Sequence, residues 1–195
     1  MKRKVIAAVC FPAFLAVILG ALTVQRSYTL LRDYPNPSVN SYKMGAAIPA
    51  GSVSITVTDF KIVDAKILMK QVPQYANTMK EVIANNGEIS PQKVALVKTT
   101  IRNESAEAKI VHLEMVQLES RSWGNGIEPF TFESINNSNG VAVKVPPGKT
   151  ETYQLSYQLF DFQFYSKQAW DSVEKRPFDL VLSTYPVMNI VSLQD

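Results

Sequence analysis

The sequence holds one cysteine, Cys10, and one histidine, His112. A lone cysteine excludes an internal disulfide, and the two residues together are too few for a Cys/His zinc site. There is no glycine-rich phosphate loop, no Gly-x-Ser-x-Gly elbow and no His-Glu-x-x-His pair. Nucleotide, serine-hydrolase and zincin chemistry therefore have no motif to rest on. No Asp-x-Asp-x-Asp-Gly run offers a calcium loop, and the methionines lack the histidines that a copper site would add. A catalytic dyad would have to use His112, set between Val111 and Leu113 on an expected strand with no nucleophile nearby. It reads as an outward-facing strand residue. No cofactor and no metal is expected.

A concentrated basic patch is also missing. The 20 Lys and Arg residues outnumber the 17 Asp and Glu, but Lys2, Arg3, Lys4 and Arg26 flank a single apolar segment. Residues 27–195 carry 16 basic and 17 acidic side chains, a net charge of −1. Nucleic acid is not an expected partner.

Residues 5–24 run without a charge. As a helix they would span about 30 Å, the thickness of a bilayer core. Three basic residues before the segment against one after it orient the N-terminus to the cytoplasm. Pro12 is tolerable near the start of such a helix. The alternative of a cleaved signal, leaving a secreted protein, meets bulky residues where small ones are needed: Leu19 for a cut after Ala21, Ile18 for one after Gly20. A lipid attached at Cys10 meets branched Val9 and too short an apolar run. The expected organisation is a cytoplasmic tip and single transmembrane signal-anchor over 1–26, an extracytoplasmic stalk over 27–50, and a β domain over 51–195. Tyr34-Pro35-Asn36-Pro37-Ser38 suits a stalk, because neither proline can donate to a helix or a central strand. The competing reading makes part of 27–50 an edge strand.

Within 51–195, short apolar runs alternate with turn signals. Asn103-Glu104-Ser105, Asn125-Gly126, Asn139-Gly140 and Pro147-Gly148 separate 94–102, 110–119, 127–133, 141–145 and 150–159. Each run has strand length, and Asn-Gly and Pro-Gly favour tight turns. Val53, Ile55 and Val57 alternate with polar residues before the apolar phase shifts to Phe60 and Ile62, which predicts a bulge near Asp59. Strand 94–102 has Ala95, Val97, Thr99 and Ile101 on one face, while its other face starts apolar and turns polar at Lys98. In 150–159, Tyr153, Leu155, Tyr157 and Leu159 form a core face against a solvent face of Thr152, Gln154, Ser156 and Gln158. Tyr75, Met79, Val82 and Ile83 mark one face of a helix that Asn85-Asn86-Gly87 would end. Ser166 caps a second short helix before a final strand at 178–182. The predicted fold is a mainly β, immunoglobulin-like antiparallel sandwich of about seven strands with one or two short helices.

Three stretches carry a resemblance. They are Gly51-Ser52-Val53-Ser54-Ile55-Thr56-Val57-Thr58, then Ala95 through Thr99-Thr100-Ile101-Arg102-Asn103-Glu104-Ser105, then Val145-Pro146-Pro147-Gly148-Lys149-Thr150-Glu151-Thr152-Tyr153. Their order resembles the immunoglobulin-like extracellular domains of Gram-positive bacteria that follow a signal or lipid anchor. That group is similar in fold to the mycobacterial immunoprotective extracellular protein. The resemblance covers roughly residues 50–192 and implies a β-sandwich outside the membrane, with no catalytic residues to carry over. The helical stretch near 73–86 and the lack of a lipobox depart from it.

For function, the leading expectation is a non-enzymatic, membrane-anchored extracytoplasmic domain that binds a protein or cell-envelope partner. Trp123 and Asn125, in the glycine-rich run Ser122-Trp123-Gly124-Asn125-Gly126, are the candidate contact residues. The competing reading folds Trp123 back as a cap on the sandwich. One alternative is a small-molecule or solute-binding accessory domain with a pocket between the 73–86 helix and the sheet. Another is an unrecognised hydrolase built on carboxylates that meet only in space. The sequons at Asn103 and Asn136 carry no weight in a bacterium.

Overall fold

The computed structural model describes residues 2–86 and 92–194, with the side chains of 2–16, 82, 85 and 86 outside that description. The chain divides into two compact units, 1–38 and 39–195. The first is a continuous helix, α1 (Lys2–Asp33). Among the described residues no helix is long and apolar enough to cross a membrane. Residues 5–16 of the expected span have side chains outside the description. Val17, Leu19, Leu22 and Val24 on α1 are exposed, and the Thr23 hydroxyl donates to Leu19 O at 2.8 Å.

The second unit is a mainly β sandwich. Its strands are β1 (Ser38–Lys43), β2 (Ala47–Ala50), β3 (Val53–Asp64), β4 (Gln92–Asn103), β5 (Lys109–His112), β6 (Gln117–Ser120), β7 (Trp123–Gly126), β8 (Ala142–Val145), β9 (Thr150–Phe160), β10 (Asp179–Ser183) and β11 (Val187–Ser192). One sheet runs β1-β11-β10-β6-β7, a second β2-β3-β4-β9, and β5 pairs with β8. The described strands therefore number eleven, not about seven. Four differences add five strands, and the loss of the predicted strand at 127–133 to a helix brings the count back to eleven. Residues 38–50, expected within a stalk, form β1 and β2, each at the edge of its sheet, where proline is admissible. The run 110–119 is broken by a 3-10 turn at Leu113–Met115, so its halves join different sheets. The Asn125-Gly126 pair is not a turn but part of β7, with Leu118 opposite Asn125, and the reversal falls at Arg121-Ser122 instead. There Arg121 takes the left-handed conformation at φ 56. The fourth is β11, which had no sequence signal strong enough to predict it.

One predicted strand is a helix. Residues 127–133 contain α4 (Pro129–Asn136), with Pro129 in its first turn, where a missing donor is harmless. The Glu128 carboxylate accepts from Phe130 N at 3.2 Å and Thr131 N at 2.6 Å, capping the helix. Before β4 come α2 (Ala65–Gln71) and α3 (Pro73–Asn86), the latter over the predicted stretch. Its expected glycine cap, Gly87, lies outside the described residues. Ser166 caps α5 (Lys167–Asp171) by accepting from Ala169 N at 3.2 Å, as predicted.

The two main sheets and the β5–β8 pair share one buried cluster that includes Val57, Val97, Leu118, Val143, Leu155 and Leu180. The β3 bulge is where the apolar phase placed it, between Val57 and Asp59. On β4 the second face starts covered, with Val94 and Leu96 buried, and ends exposed at Lys98 and Arg102. The solvent face expected for β9 holds at Thr152 and fails beyond it. Ser156 is buried and Gln154 half-buried, because α4 lies against this edge strand.

The β9 edge is covered by hydrogen bonds, not left open. Asn136 accepts from Gln154 N at 2.8 Å and donates to Gln154 O at 3.0 Å, imitating a neighbouring strand. Glu128 N donates to Ser156 O at 2.9 Å, and Asn125 Nδ2 to Gln158 O at 2.9 Å. An unpaired edge is a template for aggregation, and these three residues blunt it.

Candidate functional site

Above β4 and β9, a second buried cluster forms where Leu68 of α2 and Tyr75 and Met79 of α3 pack on Val94 and Leu96. At its margin is a cavity of about 200 Å³ between α3, the start of α4 and the ends of β4 and β9. The Tyr75, Thr78 and Met79 side chains line it from α3, with Gln92 from β4 and Phe160 from β9. Glu128, Phe130 and Thr131 close the side formed by α4.

Three lining residues are nearly inaccessible, Tyr75 and Thr131 at 1% and Gln92 at 6% exposure. Among the described residues, the Tyr75 hydroxyl, the Gln92 Nε2 and the Thr131 hydroxyl have no hydrogen-bond partner. Such an orphan costs about 1–3 kcal/mol, so native structures hold few of them. Three of the four such atoms among the described residues border this one cavity; the fourth is Gln154 Nε2. Burial, reinforced by the negative charges of Glu128 and Asp64, pushes the Tyr75 phenol up to about 12. It is a neutral hydroxyl at any physiological pH.

The aromatic surface continues outward. Phe130 is 66% exposed at the rim, and Phe160 stacks on Phe162 with centroids 5.3 Å apart and planes 17° from parallel. Phe162 is also a wall of a second recess of about 410 Å³, which Phe164, Trp170, Asp161 and Asp171 share.

The predicted contact residues are placed elsewhere. Trp123 is half-buried on β7, edge-on to Phe178 at 5.9 Å and stacked with Phe164 at 6.2 Å. Its Nε1 donates to Gln163 Oε1 at 3.3 Å. It is a strand residue that caps the core, not a free loop anchor, and Asn125 is occupied in covering β9. His112 faces outward, its Nδ1 2.7 Å from Glu114 Oε1. A backbone hydrogen bond, and after it that contact, hold the exposed Glu114 carboxyl below its ordinary range.

Chemistry is sparse at both recesses. Among the described residues Glu128 is the one carboxylate in the first cavity, and its two oxygens already accept amide hydrogens. In the second recess Asp171 pairs with Lys167 at 2.7 Å, and Asp161 accepts from Phe162 N at 2.8 Å. Among the described residues no three metal-ligating side chains converge. Sequence reasoning located the cavity's helix and sheet but missed its polar atoms. Residues 75, 92 and 131 share no motif, and the last of them was read as part of a strand.

No curated protein matches the chain. Among solved structures, the chain is similar to the yjhA protein from Bacillus subtilis, at 13% identity and a TM-score of 0.43 over 78% of this chain and 99% of that one. An uncharacterized beta-sandwich protein from Clostridium difficile 630 matches at 9% identity and a TM-score of 0.44, over 81% and 96%. A putative lipoprotein, ycdA, from Bacillus subtilis matches at 9% identity and a TM-score of 0.42, over 75% of this chain and 37% of that one. The DUF5028 family, a domain of unknown function, matches residues 39–189, and the chain belongs to it.

Proposed function

We propose that this protein is a non-enzymatic, extracytoplasmic, immunoglobulin-like binding domain, tethered by its 5–24 segment, that takes a small solute into the cavity between α3, α4 and β9. The observation that carries the reading is the concentration of three unpartnered, buried polar groups at one recess. Small-molecule sites combine an apolar wall with a few convergent polar groups, which is the composition here. The exposed apolar residues of α1 and the basic Lys2-Arg3-Lys4 before them support the tether. Trp123 and Asn125, the expected contact residues, bond within the domain, to Gln163 Oε1 and Gln158 O.

A thermal-shift screen of the full chain in detergent tests this reading. The panel holds sugars, amino acids, polyamines and nucleosides, tried against the wild type and Thr78→Trp, which fills the cavity mouth. At least one class should raise the wild-type Tm and leave the variant unmoved. A panel that moves neither protein, or both equally, overturns the cavity as the binding locus. For the tether, external protease on intact cells should digest the 39–195 unit. Protection until lysis would refute the orientation.

A further inference from the structure

We propose that the ligand is a neutral, hydroxyl-bearing ring, a sugar unit, seated in the cavity as one end of a glycan that runs out over Phe160 and Phe162. This rests on the reading of the cavity as the binding locus and adds the ligand's chemistry to it.

Charge removes two classes. Among the described residues no Lys or Arg lines the cavity and the one ionic wall group is the Glu128 carboxylate, so an anion would meet repulsion without a counter-charge. A cation would find that carboxylate already accepting two backbone amides, at 3.2 and 2.6 Å. A purely apolar ligand would leave Tyr75, Gln92 and Thr131 as unpartnered as they are without it. What these three want is a set of neutral groups that both accept and donate. The Tyr75 and Thr131 hydroxyls each do both, and the Gln92 amide nitrogen donates. Sugar hydroxyls answer all three. Each of these atoms has almost no accessible surface, so a ligand hydroxyl reaches them only as the three side chains turn toward the cavity.

Size and shape narrow the class further. At about 200 Å³ the cavity is below the roughly 300–1,000 Å³ of a drug-sized site, which suits a single ring. The carbon-bound hydrogens on a sugar's face pack on flat aromatic surface, and Phe130 and Phe160 supply it at the rim. Beyond the rim the surface does not end. The near-parallel Phe160–Phe162 pair leads to the second recess, where Phe164 and Trp170 add more aromatic wall. A chain of rings finds a continuous track, whereas a single sugar would use only its first part.

The test uses the full chain in a non-glycosidic detergent, with binding read by saturation-transfer NMR and tryptophan fluorescence. The probes are glucose, N-acetylglucosamine and the β-linked trisaccharide of each. Glycerol phosphate, spermidine and cyclohexanol serve as anionic, cationic and apolar probes. The saccharides should bind, the trisaccharides more tightly than the single sugars. Tyr75→Phe and Thr131→Val should each weaken binding by about tenfold without lowering the Tm, because the group removed has no partner in the free protein. Phe162→Ala, at an exposed position that leaves folding intact, should weaken the trisaccharides and spare the single sugars. If a charged or apolar probe binds with the same sensitivity to Tyr75→Phe while saccharides do not, the sugar assignment falls and the cavity reading stands. If no probe binds, both fall. Saccharide binding indifferent to all three variants places the site elsewhere and overturns the proposal.

Discussion

Asn103 offers a sharp test of how the sandwich is closed. It ends β4 with no exposed surface. Its Nδ2 donates to Glu107 O at 2.7 Å and Val145 O at 3.0 Å, and its Oδ1 accepts from Ser105 N at 3.0 Å and Ser105 Oγ at 2.8 Å. An asparagine amide has two hydrogens and two lone pairs, so every position is filled. The side chain thereby ties the end of β4 to its following turn and to β8. Asn103→Ala removes four bonds worth about 0.5–1.5 kcal/mol each, and water can replace those at the partly buried Glu107 and Ser105 but not the one at Val145. The expected loss is about 2–5 kcal/mol, read from the midpoint of urea denaturation of the full chain.

Asn103→Asp makes the argument directional. The shape and both Ser105 contacts survive, but two donors become lone pairs facing the Glu107 and Val145 carbonyls. A buried carboxylate among acceptors has its folded pKa raised above the unfolded value of about 3.9, so the penalty is complete above the folded pKa and fades as pH falls toward 3.9. The variant should therefore regain stability relative to the wild type on acidification. Losses below about 1 kcal/mol for both variants, or a pH trend of opposite sign, would refute the role assigned to this side chain.

Leu155, fully buried opposite Val97, should cost about 2–5 kcal/mol when truncated to alanine, measured by the same denaturation. Glu128→Ala removes the α4 cap and should cost about 0.5–2 kcal/mol. In an alkaline absorbance titration, Tyr75 should ionise near 12, and Tyr157, held up by complete burial, should ionise only well above the ordinary phenol value of about 10. Because both folded pKa values are raised, the stabilisation is whole below about 10 and is lost as pH climbs above it, through about 12 for Tyr75.

Much of the second unit was legible from local pattern. Val53, Ile55 and Val57 announced β3, and the phase slip announced its bulge. What misled was tertiary. Phe130 and Phe132 alternate as in a strand, yet Glu128-Pro129 is a helix start, and packing of Phe132 into the core settles the choice. The polar face of β9 promised water, but α4 and Asn125 cover that edge through its backbone groups, the Ser156 hydroxyl alone adding a side-chain bond, to Glu128 O at 3.3 Å. Trp123 sat in a glycine-rich run that looked exposed, and register with β6 drew it onto the core. Alternation reports which residues share a face. It does not report what covers that face.

The same limit explains why the cavity escaped notice, and why it matters. This chain can satisfy a buried polar side chain, since Asn103 fills all four of its positions and Asn136 mimics a strand. Against that standard, Tyr75, Gln92 and Thr131 are anomalous, and they come from α3, β4 and α4, brought together only by folding. At about 1–3 kcal/mol each, three orphans rival a good part of the roughly 5–15 kcal/mol by which a domain is stable. Apolar replacements such as phenylalanine or valine would remove that burden at no steric cost. Strain or deficit concentrated at one recess marks function more often than it marks neglect. On the function proposed, these polar groups are half of a set of hydrogen bonds whose other half a solute would supply.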